Sequence, residues 1–269
     1  YVEYYDTTDT QWWEIDYAPS FASKNFNTVL YQGNGSTQSV TGTAFTPDLV
    51  WVKGRSVATS NNLFDSIRGN QRIISNSTGA QVDLNPYAPD GLPSFNSNGF
   101  NIGDNFNGDY GLNGDPSGTY GSAAGYVAWN WKAGGTAVSN TDGTVTSQVS
   151  ANVDAGFSIT TFTANSGIIT FGHGLNSTPD LVILKTTSFA DSWFVNSSAL
   201  TNQTNKGVRL NQSTAEETNN AFWNNTAPTS TTVSVGNGVS VSGQSYVAYS
   251  WHSVAGYSKI GSYTGNGSA

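Results

Sequence analysis

Charge is what this 269-residue sequence has least of. Only 10% of its residues are Asp, Glu, Lys or Arg, against about a quarter in an ordinary soluble domain. The ten Lys and Arg are scattered and the net charge is −8, which excludes a nucleic-acid partner, since phosphate binding needs clustered cations. Cysteine is absent, so disulfides and thiolate metal sites are excluded. No apolar run approaches the roughly 20 residues of a membrane span, and no charged segment with an apolar signal core stands at the start. Methionine is also absent and the chain opens on Tyr1, so it reads as a processed chain or a portion of a longer one. Against these absences stand heavy use of Asn, Ser, Thr and Gly, 13% aromatic and 36% hydrophobic residues. That composition folds, with a neutral polar surface.

The same phrase is written twice. "TPDLVWVKGRS" fills 46 to 56 and "TPDLVILKTTS" fills 178 to 188. Phe64 then answers Phe194, "RIISNST" answers "RLNQST", and each copy closes on a like segment, "YVAWNWKAG" from Tyr126 and "YVAYSWHSVAG" from Tyr246. Preserved order over this length points to an internal repeat. The division expected is an N-terminal segment at 1–21, an attachment or the edge of a preceding domain; a first repeat at 22–135; a linker at 136–154; and a second repeat at 155–254. Residues 255–269, "GYSKIGSYTGNGSA" after Ala255, look like the opening of the second repeat and read as the start of a third or a C-terminal continuation. Units of this size are expected as beads on a string rather than a solenoid.

Within each copy the signals are those of strands. In "DLVWVK" Leu49 and Trp51 face one way and Val50 and Val52 the other, so both faces are apolar, as in a strand buried between layers. Val127, Trp129 and Trp131 form one large apolar face, matched by Val247, Tyr249 and Trp251. Pro47 and Pro179 precede strands, where a missing N–H is tolerated. No window carries capped helical periodicity. The fold expected is all-β: two tandem antiparallel β-sandwich domains of jelly-roll or lectin-like type.

Chemistry is harder to find. The loop "GDNFNGDYGLNGDPSG" offers Asp104, Asp109 and Asp115 as a weak Ca²⁺ candidate, without the register of a calcium loop; no other cofactor is expected. Glu216 and Glu217 are adjacent, so on a strand they point to opposite faces and make no glycosidase pair. His173 and His252 lack a partner at ligand or triad spacing. The chain is therefore not expected to be an enzyme. Trp12, Trp13, Tyr110, Tyr120 and Trp223, in polar surroundings, are the candidates for stacking on a glycan. Asp65 and Arg68 are placed to pair across a turn.

Taken together, "TPDLVWVKGRS", "NLFDSIRG", "NSNGFNIGDN" and "GYVAWNWKAGG" resemble a module of uncharacterised function repeated in structural proteins of tailed bacteriophages, marine ones in particular. The resemblance is strong over 28–135 and weaker over 155–254, where Arg55, Asp65 and Arg68 have no counterparts. It implies a virion location outside cells, in a tail fibre, tail-associated adhesin or head fibre, and transfers no catalytic residue. Other virion proteins and host cell-surface glycans are the partners it implies. A fibre of short sandwiches with little surface repulsion is expected to be a homo-oligomer, with a trimer favoured. The alternative is an array of carbohydrate-binding modules on a secreted cellular protein.

Overall fold

A computed structural model describes residues 20–87, 90–103, 111–114 and 125–267. The protein is built from antiparallel β-sheets, and among the described residues no helix reaches seven residues. The first half holds β1 (Phe26–Gln32), β2 (Gln38–Thr41), β3 (Leu49–Gly54), β4 (Asn62–Asp65), β5 (Gly69–Ile74), β6 (Val82–Asp83), β7 (Ser94–Asn96), β8 (Gly99–Ile102) and β9 (Gly125–Trp131). The second holds β10 (Val138–Asn140), β11 (Ser147–Asn152), β12 (Phe157–Thr163), β13 (Ile169–Gly172), β14 (Leu181–Thr186), β15 (Phe194–Ser197), β16 (Lys206–Arg209), β17 (Glu217–Thr218), the single turn α1 (Asn220–Trp223), β18 (Thr232–Val235) and β19 (Ser245–Trp251).

The six-stranded sheet runs β1-β9-β3-β4-β5-β6, and the eight-stranded sheet runs β10-β11-β12-β19-β14-β15-β16-β17. From β12 onward the second order is the first rewritten. Registers agree as well: Leu49 pairs with Trp131 and Leu181 with Trp251, while Trp131 also faces Phe26 and Trp251 faces Phe157. Each large sheet carries a small one, β2-β8-β7 on the first and β13-β18 on the second.

The twice-written Pro-Asp has a mechanical cause. Asp48 takes its N–H to Trp131 O at 2.8 Å and gives its own carbonyl to Ser66 N at 2.8 Å. Its carboxylate accepts Ser66 Oγ at 2.7 Å and Ala133 N at 2.7 Å. Asp180 repeats every bond: N–H to Trp251 O at 2.7 Å, carbonyl to Ser198 N at 2.9 Å, carboxylate from Ser198 Oγ at 2.9 Å and Ser253 N at 2.8 Å. One side chain thus clasps the start of a strand, the end of the closing strand and the turn after the next hairpin. The two clasps titrate differently. Burial holds Asp48 above the ordinary carboxylate value, whereas at Asp180 the hydrogen bonds from Ser253 and Ser198 outweigh burial and lower it.

Alternation along these strands feeds three cores. Val50, Val52, Phe64 and Tyr126 meet Val40, Phe100 and Ile102 of the first small sheet. Val182, Leu184, Phe194 and Tyr246 meet Ile169, Phe171, Val233 and Val235 of the second. The opposite faces of the two large sheets meet each other. Leu49, Leu63 and Ile73 from one lie in a single cluster with Phe157, Ile159, Ile183, Trp193, Val247 and Tyr249 from the other. The halves are therefore fused face to face along this seam, not strung as beads. Residues 136–154, expected as a linker, contain β10 and β11, which widen the second sheet beside β12. Of the two glycines between β9 and β10, Gly134 has a tight role, since a Cβ there would meet the Ala151 carbonyl oxygen at 2.5 Å.

Trp131 and Trp251, read from the sequence as equivalent core residues of separate units, touch across the seam with ring centroids 6.1 Å apart. Phe26 and Phe157 complete the group at 5.0 and 6.4 Å from Trp131. These tryptophans are half-buried rather than fully enclosed, because the cluster sits where the seam opens to solvent. The shared seam predicts one cooperative unfolding transition for the whole chain, seen alike by tryptophan fluorescence and far-UV circular dichroism. Trp131→Ala is expected to cost about 3 kcal/mol. Two separated transitions, only one of them shifted by that substitution, would contradict a common core.

Candidate functional site at the seam

Most sequence candidates for ligand binding fall outside the described residues: Trp12, Trp13, Tyr110, Tyr120, Asp104, Asp109 and Asp115. Asn113, from the same loop as those aspartates, is described and is a latch. Its Oδ1 accepts from Asn34 N and Gln38 Nε2, and its Nδ2 donates to Ser36 O and Gly103 O. Trp223 is described, and its position differs from expectation. It closes α1, whose N-cap Asn219 accepts from Ala221 N at 2.9 Å, and it is 1% exposed within the core under the second small sheet. Enclosed in the cluster that also holds Phe194 and Phe222, the indole has no open face on which a sugar ring can stack.

The other chemistry-bearing groups are tied into structure. Glu216 accepts from Lys206 Nζ at 2.5 Å and from Thr201, which lowers its carboxyl to about 2. Glu217 takes Arg209 Nε at 2.8 Å. His173 is buried, holding Thr229 O at 3.2 Å by Nε2 while Nδ1 accepts Leu175 N, and burial lowers its pKa. Among the described residues no group of three or more His, Cys, Asp or Glu is placed to hold a metal ion, and no helix is long and apolar enough to cross a membrane.

What the sequence left as a turn pair turns out to be the polar centre of the seam. Gly69 closes the β4–β5 hairpin at φ +67°, a left-handed conformation that side chains disfavour. This turn folds Arg68 back, so that Nε lies 2.7 Å from Asp65 Oδ2, with both side chains almost fully buried. Tyr249 of the second half donates its hydroxyl to the same Asp65 oxygen at 2.8 Å and accepts Arg68 Nη2 at 3.1 Å. Arg68 Nη1 reaches Gln71 O and Gln81 Oε1. An arginine, an aspartate and a phenol from two sheets thus close a ring of hydrogen bonds. Burial and the neighbouring Asp65 raise the Tyr249 pKa well above its ordinary value, although Arg68 opposes the shift.

A second cation lies nearby. Lys185 is 0% exposed and donates from Nζ to Thr186 O at 2.9 Å and, across the seam, to Thr78 O at 3.2 Å. Burial lowers its amine to about 8 while the charge of Asp191 opposes the change. Trp193, which the strand pattern gave no reason to single out because it precedes β15, donates its indole N–H to Ile74 O and Ser77 O of the first half at 3.0 and 3.2 Å.

Beside this network the seam opens into a cleft of about 330 Å³, lined from one side by Ile67, Arg68 and Gln81 and from the other by threonines, Gln148 and Ser245. Its wall residues come from β11, β12 and β19 and from the loops after β4, β5, β10 and β14.

The model of a family described as a domain of unknown function (DUF7483) matches residues 21–269, both large sheets and the seam between them included. The chain belongs to that family. The DUF7483 match treats the two halves as one unit, in keeping with their common core. Among the curated proteins and among the solved structures nothing matches.

Two outcomes follow for the buried charges. Arg68→Met leaves Asp65 without its cation in the seam and is expected to destabilise the chain by about 3–5 kcal/mol, measured by urea unfolding; a cost below about 1 kcal/mol would mean that the ring of bonds is dispensable. Lys185 gives a pH signature. Between pH 8 and its ordinary value of 10.5 the unfolded chain holds a proton that the folded chain has released, so stability rises with pH in that window. Tyr31 and Tyr249, whose pKa values are raised, act in the opposite sense from about pH 10 upward. Wild type should therefore gain stability from pH 7.5 to 9.5 relative to Lys185→Met. Parallel curves would contradict the buried amine.

Proposed function

We propose that the protein is a structural component of a bacteriophage virion, a tail fibre or a head- or tail-associated adhesin. In this reading the two halves are a tandem duplication of one sandwich unit that displays a surface to host glycans or to other virion proteins. The observation that carries it is the duplicated architecture itself: one strand order and one aspartate clasp used twice, with the copies joined by a buried seam into a stiff block. A block of this kind suits load-bearing and display. The weakly charged, amide- and hydroxyl-rich composition accords with a particle exposed outside cells, and so does the resemblance of the Pro-Asp, "FDSIRG" and closing-strand segments to a phage structural module. The cleft gives a specific reason to keep the second reading, a carbohydrate-binding module of a secreted cellular protein.

The deciding experiment is peptide mass spectrometry and immunogold labelling of purified virions of the phage that encodes the chain, with native mass spectrometry of the isolated protein. Peptides at particle stoichiometry, label on the tail or head, and a homo-oligomer, trimer foremost, are the expected results. Recovery of the chain only from cell-free medium, alongside polysaccharide hydrolases, would favour the secreted module. A native monomer would remove the oligomer from the proposal.

A further inference from the structure

The seam face of the eight-stranded sheet changes character along its strands. Phe157 and Ile159 of β12 and Tyr249 of β19 are covered by the first half. Two residues further along β12 the same face carries Thr161, then Thr163, because alternate residues share a face. Gln148 of β11 is the direct cross-strand partner of Thr161, and Ser245 of β19 is that of Thr163. The face thus passes from a covered aromatic zone to a patch of hydroxyls and an amide, and that patch is one wall of the 330 Å³ cleft.

Two features of the wall are chemically informative. Among the described residues, none exchanges a hydrogen bond with the side chains of Thr146, Gln148, Thr161 or Thr163, so their donors and acceptors all face the cleft or solvent. This contrasts with the rest of the seam, where Arg68, Lys185, Trp193 and Tyr249 are all engaged. The second feature is charge. Arg68 is the charged residue of the lining, and its Nε and Nη2 are committed to Asp65 and Tyr249. A phosphate or carboxylate would find no unneutralised cation, and a divalent cation would find no carboxylate. Neutral donors and acceptors in a recess of this size, near the small end of ligand sites, fit a neutral polyhydroxylated ligand, with Ile67 offering an apolar wall to the C–H face of a sugar ring.

We infer that this cleft is a carbohydrate-binding site that takes neutral glycan ends without a metal ion, both halves contributing to it. The inference rests on the reading of the protein as a display component and names the part of its surface that engages the glycan. It places binding on threonines and glutamine at the seam, away from Trp223.

The test is a microarray of neutral gluco-, manno-, galacto- and xylo-oligosaccharides with sulfated and sialylated counterparts, probed with the full chain in EDTA. Titration calorimetry on the best neutral binder follows, using wild type, Gln148→Ala and Thr161→Val/Thr163→Val. Valine keeps strand propensity at both positions, and an unchanged melting temperature certifies the fold. Neutral glycans should bind in EDTA, and the double variant should bind about tenfold more weakly through the loss of two hydrogen bonds. Binding confined to charged glycans, binding abolished by EDTA, equal affinity in the double variant, or no glycan bound at millimolar concentration would each overturn the inference. If the chain is in virions and binds no neutral glycan, the virion reading stands and this one falls; neutral binding by a chain secreted from cells would do the reverse.

Discussion

A guanidinium placed between two β-sheets has to have its donors met there, because water is not present to meet them. Arg68 imposes that condition on the seam. The Asp65 carboxyl must lie against it, a hydroxyl must arrive from the facing sheet, and the backbone of β5 must lie within reach. Tyr249 satisfies the second requirement only if the eight-stranded sheet sits at one height and one angle on the six-stranded one. Apolar burial alone, in the cluster around Phe157, Ile183 and Leu63, would tolerate sliding. The hydrogen-bonded ring removes that freedom, and with it the positions of Lys185, Trp193 and the cleft are set.

The two halves share a plan but not a chemistry. By strand register Asp65 corresponds to Ser197, and Tyr249 to Trp129. Each half therefore contributes what its counterpart lacks: the first the ion pair, the second the phenol. The absence of Arg55, Asp65 and Arg68 equivalents from the second half looks in the sequence like decay. In three dimensions one ion pair serves a seam that both halves share, and a second pair opposite it would meet no matching hydroxyl. The clasps at Asp48 and Asp180, by contrast, act within each half and are needed twice, so the Pro-Asp is written twice.

Much of this was open to reading from the chain. The all-β class, the paired closing strands and the two-faced apolar strands follow from alternation, and "DLVWVK" already says that layers lie on both sides of β3. What alternation does not say is which layer. Trp131 and Trp251 read as equivalent positions in separate units, and only coordinates place them against each other. Residues 136–154 read as a linker because their Ser, Thr and Asp resemble loop composition; β10 is the edge strand of its sheet with β11 next to it, and their exposed side chains meet solvent. Trp223 lies in a polar stretch, "NNAFWNNTA", and its burial depends on a single helical turn too short to leave a periodic signature. The cleft had no signature either, since threonine and glutamine on strands are usual surface residues, and only the facing half makes a recess of them.

The division of labour at the seam has a consequence for how copies of this chain meet. A first half that approached the first half of another molecule would bring Arg68 and Asp65 to Trp129, an indole where an acceptor hydroxyl is required, and would confront one ion pair with a second. A second half meeting its like would bring two phenols together with no ion pair. Each half is therefore a poor mate for itself and a good one for its covalent neighbour, at an effective concentration that strangers cannot match. Pairing of like halves between chains is disfavoured by chemistry, and exchange of unlike halves by tethering alone, so crowded copies can stand side by side and remain separate pairs.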